Sequence, residues 1–163
     1  MGQQEPPADP YLVIIDNMMN LEMLFEASRL TGDPRFRDVA VAHANTTLRN
    51  HFREDGSAYH IVVYDSATGR VREHRGGQGY SSTSAWARGQ SWGLYGFTMC
   101  YRETGDARYL ARAVKSAEYI LNHPNLPRTG FRTGISTVRA KSATLGGRCH
   151  RLGAARTLGV CPA

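Results

Sequence analysis

One segment of this chain is written twice. SRLTGDPRFRDVAVAHANTTL from Ser28 aligns with YRETGDARYLARAVKSAEYIL from Tyr101, an offset of 73 residues. The matches are Arg29/Arg102, Thr31/Thr104, Gly32/Gly105, Asp33/Asp106, Arg35/Arg108, Phe36/Tyr109, Ala40/Ala113, Ala44/Ala117 and Leu48/Leu121, with Leu21/Leu94 and Leu24/Phe97 upstream. The Gly-Asp pair at the centre punctuates two helices: glycine ends the first in a left-handed cap, aspartate caps the second, and Pro34 suits its first turn. Met18, Leu21, Leu24, Phe25 and Ser28 form one stripe before the turn. After it, Phe36, Val39, Ala40, His43 or Ala44, and Leu48 are expected to face inward on a helix running to about Phe52. A helical hairpin used twice must share its core with its neighbour, as in solenoids and α/α toroids.

Charge is unevenly placed. Of the 20 Lys+Arg and 14 Asp+Glu among the 163 residues, residues 1–127 hold 13 basic and all 14 acidic ones, a net −1; residues 128–163 hold seven basic residues and no acid. The body is therefore neutral, and nucleic-acid binding loses its electrostatic basis. Cys100, Cys149 and Cys161 show no metal-ligand spacing, and Cys100 falls in a helical pattern as a small buried residue. The start, MGQQEPPADPYLV, lacks the basic and apolar regions of a signal peptide, and no apolar run reaches membrane-spanning length. A soluble, cytoplasmic chain is the expectation.

Residues 1–10, rich in Pro and Gln, read as a disordered linker. Tyr11 to Ile15 is a short apolar run leading to Asp16, and Ser57 to Glu73 reads as strand, turn, strand: a β-hairpin inserted between the helical hairpins. Such an insertion is expected over one mouth of the assembly, bringing His60 toward Asp16.

Gln78 to Trp92, QGYSSTSAWARGQSW, is the most polar-aromatic stretch. If Ser84 caps a helix running through Trp92, then Arg88 and Trp92 share a face at i, i+4. A guanidinium fork beside an indole suits a sugar acid, the fork on the carboxylate and the indole on an apolar ring face. The plainer alternative makes Trp86 and Trp92 core aromatics and pairs Arg88 with a structural carboxylate. Asp16, in IIDNMMN, sits where an aspartate is usually a helix cap. To donate a proton it would need an apolar surround, which Ile14, Ile15, Met18 and Met19 could supply. His60 alone in a strand is more often structural.

Taken together, IIDNMMN, the His60 strand, the QGY…SxWxRGQxW motif and the paired Gly-Asp hairpins resemble the unsaturated glucuronyl hydrolases over about residues 11–127. That resemblance implies an all-α chain, an incomplete (α/α)6 barrel with a β-hairpin insertion. It also implies hydrolysis of lyase-generated glycosaminoglycan oligosaccharides ending in a 4,5-unsaturated glucuronic acid. No metal or cofactor is implied, and the partner is the oligosaccharide, not nucleic acid or membrane. By position Asp16 resembles the general acid/base, and His60, Gln78, Arg88 and Trp92 resemble substrate-pocket residues. An unsaturated rhamnogalacturonyl hydrolase, or a non-catalytic helical-repeat module whose Asp16, His60 and Arg88 are scattered, are the alternatives; the DNMMN and RGQxW wording favours the first.

The chain departs from the family pattern in three places. Gly77 stands where a histidine normally precedes the QGY glutamine, an upstream aspartate of the family has no counterpart, and the family wording ends near Pro127. There DGIPYWDFD is expected, whereas the chain reads RTGFRTGIST. Codons CGG-ACG-GGA-TTC-CGT-ACT-GGG-ATT-TCG-ACG encode the latter and, read from the last base of the first codon, encode DGIPYWDFD. Residues 128–163 are thus expected to be a shifted-frame tail. With part of its barrel lacking, the isolated chain is expected to be unstable or aggregating, and inactive.

Overall fold

The computed structural model describes residues 10–81 and 83–126. The linker before Pro10 and the basic tail after Pro127 lie outside the described residues. Four helices form two hairpins: α1 (Asn17–Thr31) with α2 (Pro34–Asn50), and α3 (Ala87–Thr104) with α4 (Ala107–Leu121). Strands β1 (Pro10–Ile14), β2 (Ile61–Asp65) and β3 (Val71–Arg75) make one antiparallel sheet in the order β1-β2-β3. The architecture is mostly helical with a small sheet.

The repeat is reproduced atom for atom at its turns. Gly32 and Gly105 both take φ 72° as left-handed caps. Asp33 accepts the Arg35 N–H at 2.9 Å, and Asp106 accepts the Arg108 N–H at 2.9 Å. Each aspartate also pairs with that arginine's guanidinium at 2.6 Å. These local bonds end one helix and start the next without help from the core.

The core lies between the hairpins, where Ile15, Met18, Leu21 and Phe25 meet Phe97, Met99, Cys100 and Tyr109. α1 and α3 approach closely because position 96 is glycine: a Cβ there would stand 2.5 Å from Met18 Cβ. A larger residue would force the two helices apart. Burial in this core pushes the Cys100 thiol up to about 12, so it is a packing group rather than a nucleophile.

Several expectations are corrected. The inserted hairpin is a three-stranded sheet, since the run before Asp16 pairs with β2 from Pro10↔Asp65 to Ile14↔Ile61. Pro10 is therefore strand, at an edge position where proline is tolerated. α2 ends at Asn50, and Phe36 and Val39 face solvent, not the core. Ser84 does not cap α3: its hydroxyl donates to Ser81 O and accepts the Ser81 N–H, closing a turn, and α3 begins after Trp86. Among the described residues no helix is long and apolar enough to cross a membrane.

Candidate functional site

Asp16 occupies the N-cap position of α1 yet makes no side-chain cap bond, its backbone already helical at φ −58°, ψ −28°. The carboxylate is thereby released from the task an aspartate usually has at this position. Its Oδ2 instead faces His60 Nε2 at 3.5 Å, and both atoms are shut off from solvent with no conventional hydrogen bond. The backbone sets this up. The Ile15 N–H donates to His60 O at 3.0 Å, extending the β1–β2 ladder by one step so that residues 16 and 60 sit side by side.

His60 is buried and clamped from its other ring nitrogen. The Gln78 N–H donates to Nδ1 at 2.8 Å, with Gly76 O at 3.1 Å from the same atom. An Nδ1 that accepts from the Gln78 N–H leaves Gly76 O a neighbour rather than a hydrogen-bond partner and, in the neutral ring, puts the proton on Nε2, the nitrogen that faces Asp16. The clamp demands glycine at position 77, where φ is +61° and a Cβ would lie 2.2 Å from His60 Nδ1. With this loop path, the histidine expected there by family resemblance has no room.

A wall stands beside the pair. Trp86 packs on His60 with ring centroids 4.7 Å apart, and the Arg88 guanidinium lies 4.3 Å over the Trp86 ring. Arg88 Nη2 donates to Gln78 Oε1 at 2.8 Å, which returns the chain of contacts to the residue that clamps His60. Asp16, His60, Trp86, Arg88 and Gln78 are thus one connected group rather than scattered residues. Trp92, half-buried, stands one turn beyond Arg88 on α3, linked to the group by that i, i+4 spacing.

Sequence reasoning left Trp86 out of the site, although the aromatic richness of the motif was a usable signal. Gln90, from the same motif, has a structural duty instead. Its buried amide accepts the Ala58 N–H at 2.7 Å and donates to Gly56 O at 2.9 Å, tying α3 to the loop that leads into β2.

The fold and site thus define a helical-hairpin protein with a carboxylate–imidazole pair and a cation–aromatic wall where the small sheet meets the helices. No protein-family model matches the chain. A curated relative does: the unsaturated glucuronyl hydrolase of Formosa agariphila is 49% identical over 118 residues, 72% of this chain and 30% of that protein. A crystal structure of an unsaturated glucuronyl hydrolase specific for heparin superposes with a TM-score of 0.77 at 44% identity, covering 78% of this chain and 34% of that one. A mutant Streptococcus agalactiae unsaturated glucuronyl hydrolase complexed with dGlcA-GalNAc6S matches at TM-score 0.58 and 39% identity, over 68% of this chain and 29% of its own. The chain belongs to the unsaturated glucuronyl hydrolase family, and it spans about a third of the length of the relatives it matches.

Proposed function

We propose that these residues belong to the active site of a hydrolase that removes 4,5-unsaturated glucuronic acid from lyase-generated glycosaminoglycan oligosaccharides. The observation that carries this reading is the Asp16–His60 pair: a carboxylate withheld from capping and met by a clamped imidazole. In the proposed reaction Asp16 gives its proton to C4 of the unsaturated ring, leaving positive charge at C5 and the ring oxygen. Water adds at C5 while the Asp16 carboxylate takes back a proton, and the hemiketal so formed collapses to release the sugar. One carboxylate serves both steps, so the two-carboxylate spacing of ordinary glycosidases is not the relevant measure.

The His60 Nε2–H would hold the Asp16 carboxylate in place. Arg88 spends one donor on Gln78 and keeps the rest of its fork for the uronate. Trp92 would cover an apolar face of the sugar, with Trp86 holding both His60 and Arg88 in position. The bound dGlcA-GalNAc6S of the Streptococcus agalactiae structure supports this substrate class. The twin hairpins and the superposition on longer relatives support an (α/α)6 barrel of which these helices are one part. On that reading the isolated chain is inactive.

The test is a chimaera in which residues 11–126 replace the matching span of the Formosa agariphila relative. It should consume the ultraviolet absorbance of an unsaturated chondroitin disaccharide, and Asp16→Asn in it should lower kcat/KM by about 10²–10⁴-fold, the size of a general acid's contribution. A wild-type-like rate in the Asp16→Asn chimaera rejects the assignment.

A further inference from the structure

The two oxygens of the Asp16 carboxylate stand in different surroundings. Oδ2 is shut off from solvent and faces His60 Nε2 at 3.5 Å. Oδ1 makes no hydrogen bond among the described residues and is not enclosed. The side chain as a whole is 26% exposed, and Oδ2 contributes almost none of that exposure. The Asp16–His60 approach is set by described backbone, through the Ile15 N–H on His60 O. A further segment of the polypeptide could therefore change what covers Oδ1, but not what Oδ2 faces.

The hydrogen at that gap is fixed from the far side of the imidazole. The Gln78 N–H donates to His60 Nδ1 at 2.8 Å, so the neutral ring carries its proton on Nε2. Turning the ring over would set Cδ2–H against the Gln78 N–H and lose that bond. Trp86, packed on the imidazole with centroids 4.7 Å apart, further confines the ring. A carboxyl proton on Oδ2 would thus point at the Nε2 hydrogen across 3.5 Å, with both heavy atoms cut off from water. A proton on Oδ1 meets no such neighbour among the described residues.

We propose that the two oxygens divide the work: Oδ2 faces the His60 Nε2–H throughout the reaction, and Oδ1 alone exchanges the proton. This division rests on the acid/base role proposed above for Asp16. In the first step the Oδ1–H bond breaks and its electron pair stays on Oδ1. The C4–C5 π pair forms the new C4–H bond, and the ring oxygen shares a lone pair with the electron-poor C5. In the second step a water oxygen bonds to C5 and its proton passes to Oδ1, so the carboxyl group ends as it began. His60 neither gives nor takes a proton. It is a positioning residue that keeps the carboxyl from turning over between the two steps, and the Gln78 main-chain amide sets its tautomer.

Three measurements on the chimaera carrying residues 11–126 test this. With nitrogen-15 in its histidines, and His60→Gln to identify the signal, His60 at neutral pH should show a protonated Nε2 and a bare Nδ1. A proton on Nδ1 overturns the proposal. Crystals of Asp16→Asn with an unsaturated chondroitin disaccharide show which branch of the side chain serves the sugar. C4 should lie about 3–3.5 Å from the branch turned away from His60. C4 nearer the branch that faces His60 overturns the division of labour while leaving Asp16 as the acid, whereas C4 within reach of neither branch removes the acid/base reading itself. Kinetics separate positioning from mere packing. Glutamine can still present an N–H to Oδ2 and methionine cannot, so His60→Gln should keep kcat/KM about ten-fold above His60→Met at matched thermal stability. Equal rates in the two variants overturn the proposal.

Discussion

Asp16 Oδ2 and His60 Nε2 stand 3.5 Å apart, each shielded from solvent and each dependent on the other for a polar neighbour. Catalytic hydrogen bonds are often long before substrate binds, so this separation is compatible with the acid/base role proposed for Asp16. The pair is held by backbone, through the Ile15 N–H on His60 O, rather than by its own attraction. In the chimaera His60→Ala should therefore leave the fold in place but lower kcat/KM about 100-fold or more, by releasing the carboxylate from one orientation. Parallel kinetics and thermal melts separate the two effects, and an unchanged rate would remove His60 from the mechanism.

Gly77 is the tightest point of the clamp. Gly77→Ala adds a methyl 2.2 Å from His60 Nδ1 at a residue with φ +61°, so either the loop or the imidazole must move. The cost should be about 1–3 kcal/mol of stability from the strained backbone. It should bring a loss of activity similar to His60→Ala, because the same ring is displaced. Urea melts read the first quantity and chimaera kinetics the second; a silent Gly77→Ala would show that the 76–78 loop does not position His60.

Gln90→Leu tests the cross-tie between α3 and the loop before β2. The substitution keeps volume but strands the buried Ala58 N–H and Gly56 carbonyl. Two unsatisfied buried groups should cost about 2–4 kcal/mol. Denaturant midpoints at unchanged slope would measure it, and a change below about 0.5 kcal/mol would mean that the loop finds other partners.

What the amino-acid order reveals here follows the range of each interaction. The Gly32-Asp33 and Gly105-Asp106 turns are legible because glycine cap, aspartate side chain and following N–H lie within a few residues. β1 is not, because a five-residue apolar run has no periodicity of its own and becomes a strand only by pairing with Ile61–Asp65 far along the chain. The Asp16–His60 contact inherits that non-local pairing, so the insertion could be expected to bring His60 toward Asp16, while which ring nitrogen meets the carboxylate, and at what distance, could not be read. Ser84 misled because a serine hydroxyl can close a turn on Ser81 as well as cap a helix. Phe36 and Val39 have the periodicity of core residues, yet nothing described here covers them.

His51 offers a prediction with a defined pH window. It is fully buried, with Nε2 3.3 Å from Val13 O beneath the sheet, and burial holds its imidazole down to about 4 from an ordinary 6.5. The folded protein keeps the ring neutral, so between pH 6.5 and about 4 the unfolded chain binds the extra proton and acid favours unfolding. Above pH 6.5 neither state takes it up and the contribution is flat. Across the full window the loss should approach about 3 kcal/mol, at 1.36 kcal/mol for each unit of difference. Burial also lowers His43, which acts in the same direction. Asp65 is held down to about 2, first by the Arg72 hydrogen bond, so its stabilising contribution is lost only as pH falls below the ordinary carboxylate range. Urea unfolding at half-unit steps from pH 7.5 to 4 should therefore show stability already falling between pH 6.5 and about 5, above the range in which ordinary carboxylates titrate. In His51→Gln that slope should flatten toward the part due to His43, and an unchanged slope would assign the acid sensitivity elsewhere.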